Sequence, residues 1–174
     1  CVTQDHRGII YIGNNNKGVL EYDGVEWRRI PVPKDPIVRS LVTGNDGVVY
    51  VGAVSEFGYL APDRLGNMRY ISLSSSLDFE SSPFGNVMRT YYNEGKVYFC
   101  SFNYIFVYDP MEENLKAIET PEDPFLSFLI DNTLYTSSIS KGLMRYENGH
   151  YVMVPGGEFF REKYISGLAP YNRN

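Results

Sequence analysis

The stretch DHRGIIYIGNNNKGVLEYDGVEW, Asp5 to Trp27, holds a turn, a short apolar run closed by glycine, three asparagines, a second run and a second turn. Its centre, GIIYIG (Gly8 to Gly13), returns as GVVYVG (Gly47 to Gly52). It returns again in weaker form as GKVYFC (Gly95 to Cys100) and NTLYTS (Asn132 to Ser137). Aligned on their tyrosines, the copies sit at Tyr11, Tyr50, Tyr98 and Tyr135, in steps of 39, 48 and 37 residues. A second anchor follows each at nearly fixed distance. Tyr22, Ala61 and Tyr146 come eleven residues on, and Tyr108 ten. Two anchors that keep their spacing through four copies make an internal repeat, the first thing to establish in a chain of this kind.

Working outward, each copy is preceded by a strand-like run: CVTQD (Cys1 to Asp5), IVRSLVTG (Ile37 to Gly44), NVMRTYYN (Asn86 to Asn93) and FLSFLID (Phe125 to Asp131). A fifth such run, YISGLAPY, occupies Tyr164 to Tyr171. After each second anchor comes another: EWRRIPV, MRYISL, LKAIET and HYVMVP. The joints DHRG, YDG, GNDG, NEG, YDP and ENG are rich in residues that accept positive φ or bond their own backbone, as tight hairpins require. No long helical period interrupts them; EFFREKYI (Glu158 to Ile165) is the best short candidate. Four short strands per unit of about 40 residues are the signature of β-propeller blades. A β-sandwich would space strands similarly but would not need a two-anchor repeat.

The expectation is an all-β fold: four-stranded antiparallel blades, about four of them, forming a single propeller segment over 1–174. The units run approximately 1–34, 35–83, 84–123 and 124–161, with the start of a further blade at 162–174. The segment is expected to be part of a larger propeller. Missing blades or self-association would then cover its open ends, since exposed sheet faces favour association.

Composition narrows the function classes. Net charge is −5, with 16 Lys and Arg against 21 Asp and Glu, and there is no basic cluster. Such a surface suits neither DNA nor RNA backbones. No apolar run approaches 18 residues, so a membrane connection would have to come through other parts of a parent protein. Cys1 and Cys100 give neither a disulfide framework nor zinc spacing. Cys1 at the first position admits a lipid-modified terminus, but the plainer reading is a boundary within a longer chain.

The segment Val2 to Trp27, followed by Ile37 to Leu60, resembles the two-component-regulator propeller repeat: a D-x-x-G turn, an aromatic-x-G strand, a polar loop, then G-[LV]-x-x-[YF]-[DN]. Here these are Asp5 and Gly8, Tyr11 and Gly13, the loop Asn14 to Lys17, then Gly18, Val19, Tyr22 and Asp23. The match covers 1–77 well and weakens over 86–160, where Cys100 and Ser137 replace the strand-ending glycine. The resemblance implies the periplasmic sensor region of a bacterial hybrid histidine kinase or one-chain transcription regulator of the Bacteroidetes type. It also implies that the ligand is an oligosaccharide or another small molecule, and that the segment itself is not an enzyme.

Catalytic and metal chemistry leave little trace in the residues. His6 and His150 are far apart and turn-like, and no metal ligand set or cofactor motif is expected. No G-x-S-x-G is present. TQDHRG (Thr3 to Gly8) has two residues between Asp and Gly where a sialidase box has one, and DPMEENLKAIE (Asp109 to Glu119) lacks the calcium-loop pattern. The cluster SLSSSLDFESS (Ser72 to Ser82) reads as a connector. Four ligand-binding candidates remain. Arg39 and Arg89 take matching places in the first strands of units two and three, the strands that line a propeller's channel; ion pairing to nearby carboxylates is the rival reading. Trp27, the sole Trp, suits either a sugar face or blade packing, and Asn15 lies in the asparagine loop. A non-catalytic sensor propeller leads. A protein-interaction scaffold and a propeller-based polysaccharide lyase or glycosidase are the alternatives.

Overall fold

The computed structural model describes residues 1–15, 18–77 and 84–171. Four antiparallel meanders follow one another, each strand bonded to the next in chain order. The first holds β1 (Val2–Gln4), β2 (Ile10–Gly13), β3 (Val19–Tyr22) and β4 (Trp27–Ile30). The second holds β5 (Val38–Thr43), β6 (Val49–Ala53), β7 (Glu56–Pro62) and β8 (Met68–Ser72). The third holds β9 (Arg89–Asn93), β10 (Lys96–Cys100), β11 (Tyr104–Asp109) and β12 (Asn114–Glu119). The fourth holds β13 (Pro124–Ile130), β14 (Thr133–Ser138), β15 (Gly142–Glu147) and β16 (His150–Met153). The first strands lie side by side, β1 against β5, β5 against β9 and β9 against β13, while the outer strands β4 and β8 touch. These are propeller blades, with the first strands forming an inner edge.

The anchor tyrosines hold one register. Tyr11, Tyr50, Tyr98 and Tyr135 pair with Thr3, Val42, Tyr91 and Phe128 of their first strands. The second anchor needs one correction. Tyr22 pairs with Ile10, and Tyr108 with Val97, each just before the anchor tyrosine. In blade two that place belongs to Leu60, opposite Val49, and not to Ala61. The tight corner at Val54 and Ser55 shortens the connection by one residue.

The repeat fades after blade two because its turns change. Asp5 closes a turn in which its amide donates to Ile9 O and the Gly8 amide donates to Asp5 O. Its carboxylate accepts from the Arg7 and Ile9 amides at 2.9 and 3.1 Å and from the Tyr11 hydroxyl at 3.2 Å. In blade two Gly44 takes the backbone role. Asp46, two residues on, supplies the carboxylate, accepting from the Val48 amide at 3.0 Å and the Tyr50 hydroxyl at 2.6 Å. Blades three and four use two-residue turns with both residues at positive φ, Glu94-Gly95 and Asp131-Asn132.

The strand-ending glycine has a packing cause. A Cβ on Gly52 would come within 2.7 Å of Ser40 Oγ, Val87 Cγ1 and Thr90 Oγ1, and one on Gly13 would lie 2.7 Å from Val38 Cγ1. The blade's own first-strand side, through Cys1 Sγ and Ser40 Oγ, and the next blade, through Val38, Val87 and Thr90, both crowd each glycine, so a larger residue must displace one or the other. Gly52→Ala is expected to cost about 2 kcal/mol by overpacking, read as a lower urea midpoint at unchanged slope. Cys100 and Ser137 stand at the equivalent places further along, where the thiol is buried and the Ser137 hydroxyl donates to Leu126 O.

Each blade interface carries its own core. Tyr11, Val19, Ile30, Val38, Val51 and Leu60 fill the first. Rings dominate the second, where Phe57 lies 4.7 Å from both Phe99 and Phe106 and 5.4 Å from Phe84. The third is built on Cys100, Ile105 and Leu134. The run Tyr164 to Tyr171, expected as a further first strand, forms no strand, because it has no second strand to pair with among the described residues. It keeps the packing role: Ile165 and Leu168 lie on Leu126, Phe128 and Leu143. The Glu162 amide donates to Ile139 O, as the Val87 amide donates to Ala53 O between blades two and three. EFFREKYI contributes only a 3-10 turn, Gly157–Phe160. The serine-rich connector begins with another at Ser74–Ser76; its remainder, 78–83, falls outside the described residues.

Candidate functional site

Asn14, at the corner after β2, is a joint between blades. Its amide donates to Gly18 O, and its carbonyl accepts the amide of Val38 at 3.1 Å, at the start of the next blade's first strand. Asn15 and Arg39 therefore each lie one residue from that bond. Asn15 is exposed, its amide donating to the Asn14 side chain at 2.6 Å. Asn16 and Lys17 lie outside the described residues.

Arg39 owes its position to a bulge. Val38 pairs with Ala53 and Ser40 with Gly52, leaving Arg39 between them without a cross-strand partner. An extra residue of this kind re-aims its side chain, and Arg39 is exposed. Arg89 instead pairs with Cys100, the counterpart of Gly52. The two arginines thus do not occupy matching ladder places; the bulge shifts one against the other. They still converge. The Ser40 hydroxyl meets that of Thr90 at 2.7 Å, and Arg39 and Arg89 immediately precede those residues. Arg89 is exposed, and among the described residues its side chain makes one bond, a 3.4 Å contact to Ser166 O. Among the described residues neither arginine joins an ion pair.

Three of the four candidates, Asn15, Arg39 and Arg89, therefore gather at one end of the inner edge of blades one to three. They offer guanidinium and amide donors with few internal commitments, suited to hydroxyl and carboxylate oxygens. Trp27 is elsewhere. It lies on the outermost strand, three strand spacings or roughly 14 Å from β1. There it stacks on Tyr22 at 4.6 Å and is 55% exposed.

The rest of the inner edge is structural. Thr3 and Thr43 hydroxyls meet at 2.9 Å, and Ser127 and Thr136 hydroxyls at 2.8 Å. Among the described residues no buried side-chain nitrogen or oxygen lacks a partner, and no group of three His, Cys, Asp or Glu is placed to hold a metal ion. Burial pushes the Cys100 thiol up to about 12, against the opposing influence of Arg89, so it stays protonated at neutral pH. The bonded network that reasoning from sequence missed surrounds Glu56. One carboxylate oxygen accepts from Tyr70 at 2.9 Å, Ser72 at 2.7 Å and Ser74 at 2.6 Å. Its donors sit up to 18 residues away, and it locks β7 to β8 and the turn beyond.

No family model matches the sequence, and no curated protein matches it. Solved structures do. The extracellular domain of a B. thetaiotaomicron protein, described both as a one-component and as a hybrid two-component system, superimposes with a TM-score of 0.61. The identity is 20%, over 87% of this chain and 20–21% of that one. This chain has its fold. Virginiamycin B lyase from Staphylococcus aureus also gives 0.61, at 15% identity, over 87% of this chain and 53% of the lyase. A Bacteroides caccae protein of unknown function gives 0.53 at 16%, over 87% and 58%. The chain spans about a fifth of the first protein and about half of the lyase. The expected likeness to the extracellular regions of bacterial regulators is borne out at the level of fold. No helix among the described residues is long and apolar enough to cross a membrane.

Proposed function

We propose that the chain is part of a periplasmic, non-catalytic sensor region of a bacterial signalling regulator, and that it binds an oligosaccharide at the inner edge. The observation that carries this is the convergence of Asn15, Arg39 and Arg89 on one end of the first three blades, exposed and, among the described residues, free of carboxylate partners. Such donors grip hydroxyl and carboxylate oxygens. The fold shared with an extracellular domain of a two-component system supports a signalling role. Ligand binding would act by population shift, favouring one arrangement of the parent's output over another. In the native mass spectrum of the chain with mixed oligosaccharides, an adduct with the mass of an intact sugar is expected. Exchanging both Arg39 and Arg89 for Ala should lower its occupancy about tenfold, as loss of two charge-assisted contacts does.

A further inference from the structure

The three blade interfaces are not equally filled. Between blades two and three, Phe57, Phe99 and Phe106 stack and Tyr59 lies 6.5 Å from Tyr108, leaving a hollow of about 180 Å³. The ladder identifies the corresponding places one interface on. Cys100 pairs with Ile105 as Gly52 pairs with Phe57, and Tyr98 pairs with Val107 as Tyr50 pairs with Tyr59. Ile105 and Val107 thus replace two rings on that wall. On the facing blade, Thr136 pairs with Met144 where Phe99 pairs with Phe106. Of these four places one, Val107, lines a cleft of about 410 Å³ between blades three and four. That volume lies within the range of small-molecule pockets.

Its lining is specific. Val107, Ile118, Leu129 and Leu134 make apolar walls, with Tyr98 on one blade and Tyr146 on the other. Among the described residues neither of these hydroxyls has a hydrogen-bond partner, and burial raises the pKa of Tyr98, keeping it a donor. Lys116 stands in the same row as Tyr98 and Val107 and has no carboxylate partner among the described residues, where Lys96 has Asp109 alone, at 3.8 Å. Asn132, the one amide, is already bonded to Asn93 and Glu94. Few free groups remain for the many hydroxyls of a neutral sugar. Apolar walls with ring faces, phenol donors and a free ammonium fit a flat apolar body that carries one negative charge.

We infer that the cleft between the third and fourth blades is a second binding site, for a small aromatic carboxylate. The test titrates the whole chain with 2-naphthoate and with uncharged 2-naphthalenemethanol, following ligand fluorescence. Saturable binding of the acid is expected, about fivefold or more tighter than the alcohol. Lys116→Glu, at an exposed position, should weaken the acid about tenfold or more by charge reversal without moving the unfolding midpoint. Val107→Tyr restores the ring found at the neighbouring interface and should abolish binding, with the midpoint held or raised. Absence of saturable binding, equal affinity for acid and alcohol, or undiminished binding by Lys116→Glu would overturn the inference. Oligosaccharide adducts at the inner edge should be unchanged in both variants, so the two sites succeed or fail separately.

Discussion

Phe57→Ala should lower stability by about 3–5 kcal/mol, a large part of the 5–15 kcal/mol that holds a typical domain folded. Phe57 is wholly buried and forms the hub of the second interface, in ring contact with Phe84, Phe99 and Phe106. Those residues come from the segment before β9 and from β10 and β11, all in the next blade. Truncation leaves a cavity bounded by rigid rings that cannot collapse into it, so both transfer and cavity costs apply. Phe57→Leu should cost roughly half as much, since most of the volume stays. Urea unfolding followed by circular dichroism measures both. A loss below about 1 kcal/mol for the alanine variant would mean that blades two and three are not packed through these rings.

Asp5→Ala should cost about 3 kcal/mol. Only 2% of the Asp5 side chain is exposed. It accepts from two backbone amides, the Tyr11 hydroxyl, and Arg7 Nε and Nη2 at 3.0 and 2.7 Å. Removing it takes the acceptor from the O–H of the fully buried Tyr11, leaving that oxygen only the bond it accepts from Arg7 Nη2 at 3.1 Å, and unmakes the turn that starts the first hairpin. The same group gives a pH signature. Burial pushes the Asp5 pKa up, but the Arg7 guanidinium and the two amides outweigh it and hold the carboxyl below its ordinary value. A carboxyl depressed on folding stabilises the fold above its unfolded pKa, and that contribution is lost as pH falls through the folded one. The stability gap between the native chain and Asp5→Asn should therefore be full at pH 6 and shrink below about pH 4. A gap independent of pH would mean that Asp5 is not held ionised by Arg7.

Much of this was legible because repetition exposes constraint. The tyrosine anchors and the glycines at 13 and 52 mark real structural demands: a fixed ladder place and a site crowded from both sides. Strand number and order follow from them directly. Three features were hidden. The bulge at Arg39 adds a residue without any local signal, so two arginines that look equivalent in the sequence are offset in the ladder. The carboxylate that receives the anchor tyrosine's hydroxyl moves from Asp5, six residues ahead of it, to Asp46, four ahead, which an alignment of turns does not show. The cleft has Val107 on its wall where blade two has Tyr59, a loss read only once the ladder places are known. Trp27 stood out by composition, yet its place at the end of the meander puts it on the outer rim, stacked on Tyr22.

For the asparagine loop, the structure separates backbone from side chain. Asn14 is the corner of a repeating sheet, and its carbonyl ties one blade to the next. Asn15 beside it, with Arg39 and Arg89, makes that corner the proposed binding edge.

The proposed binding edge should hold an oligosaccharide and leave it whole. Native mass spectrometry of the chain with an oligosaccharide mixture tests it most directly. The predicted result is a one-to-one adduct of an intact sugar that diminishes when Arg39 and Arg89 are replaced. Shortened sugar masses accumulating with time, or no adduct from any oligosaccharide, would contradict it.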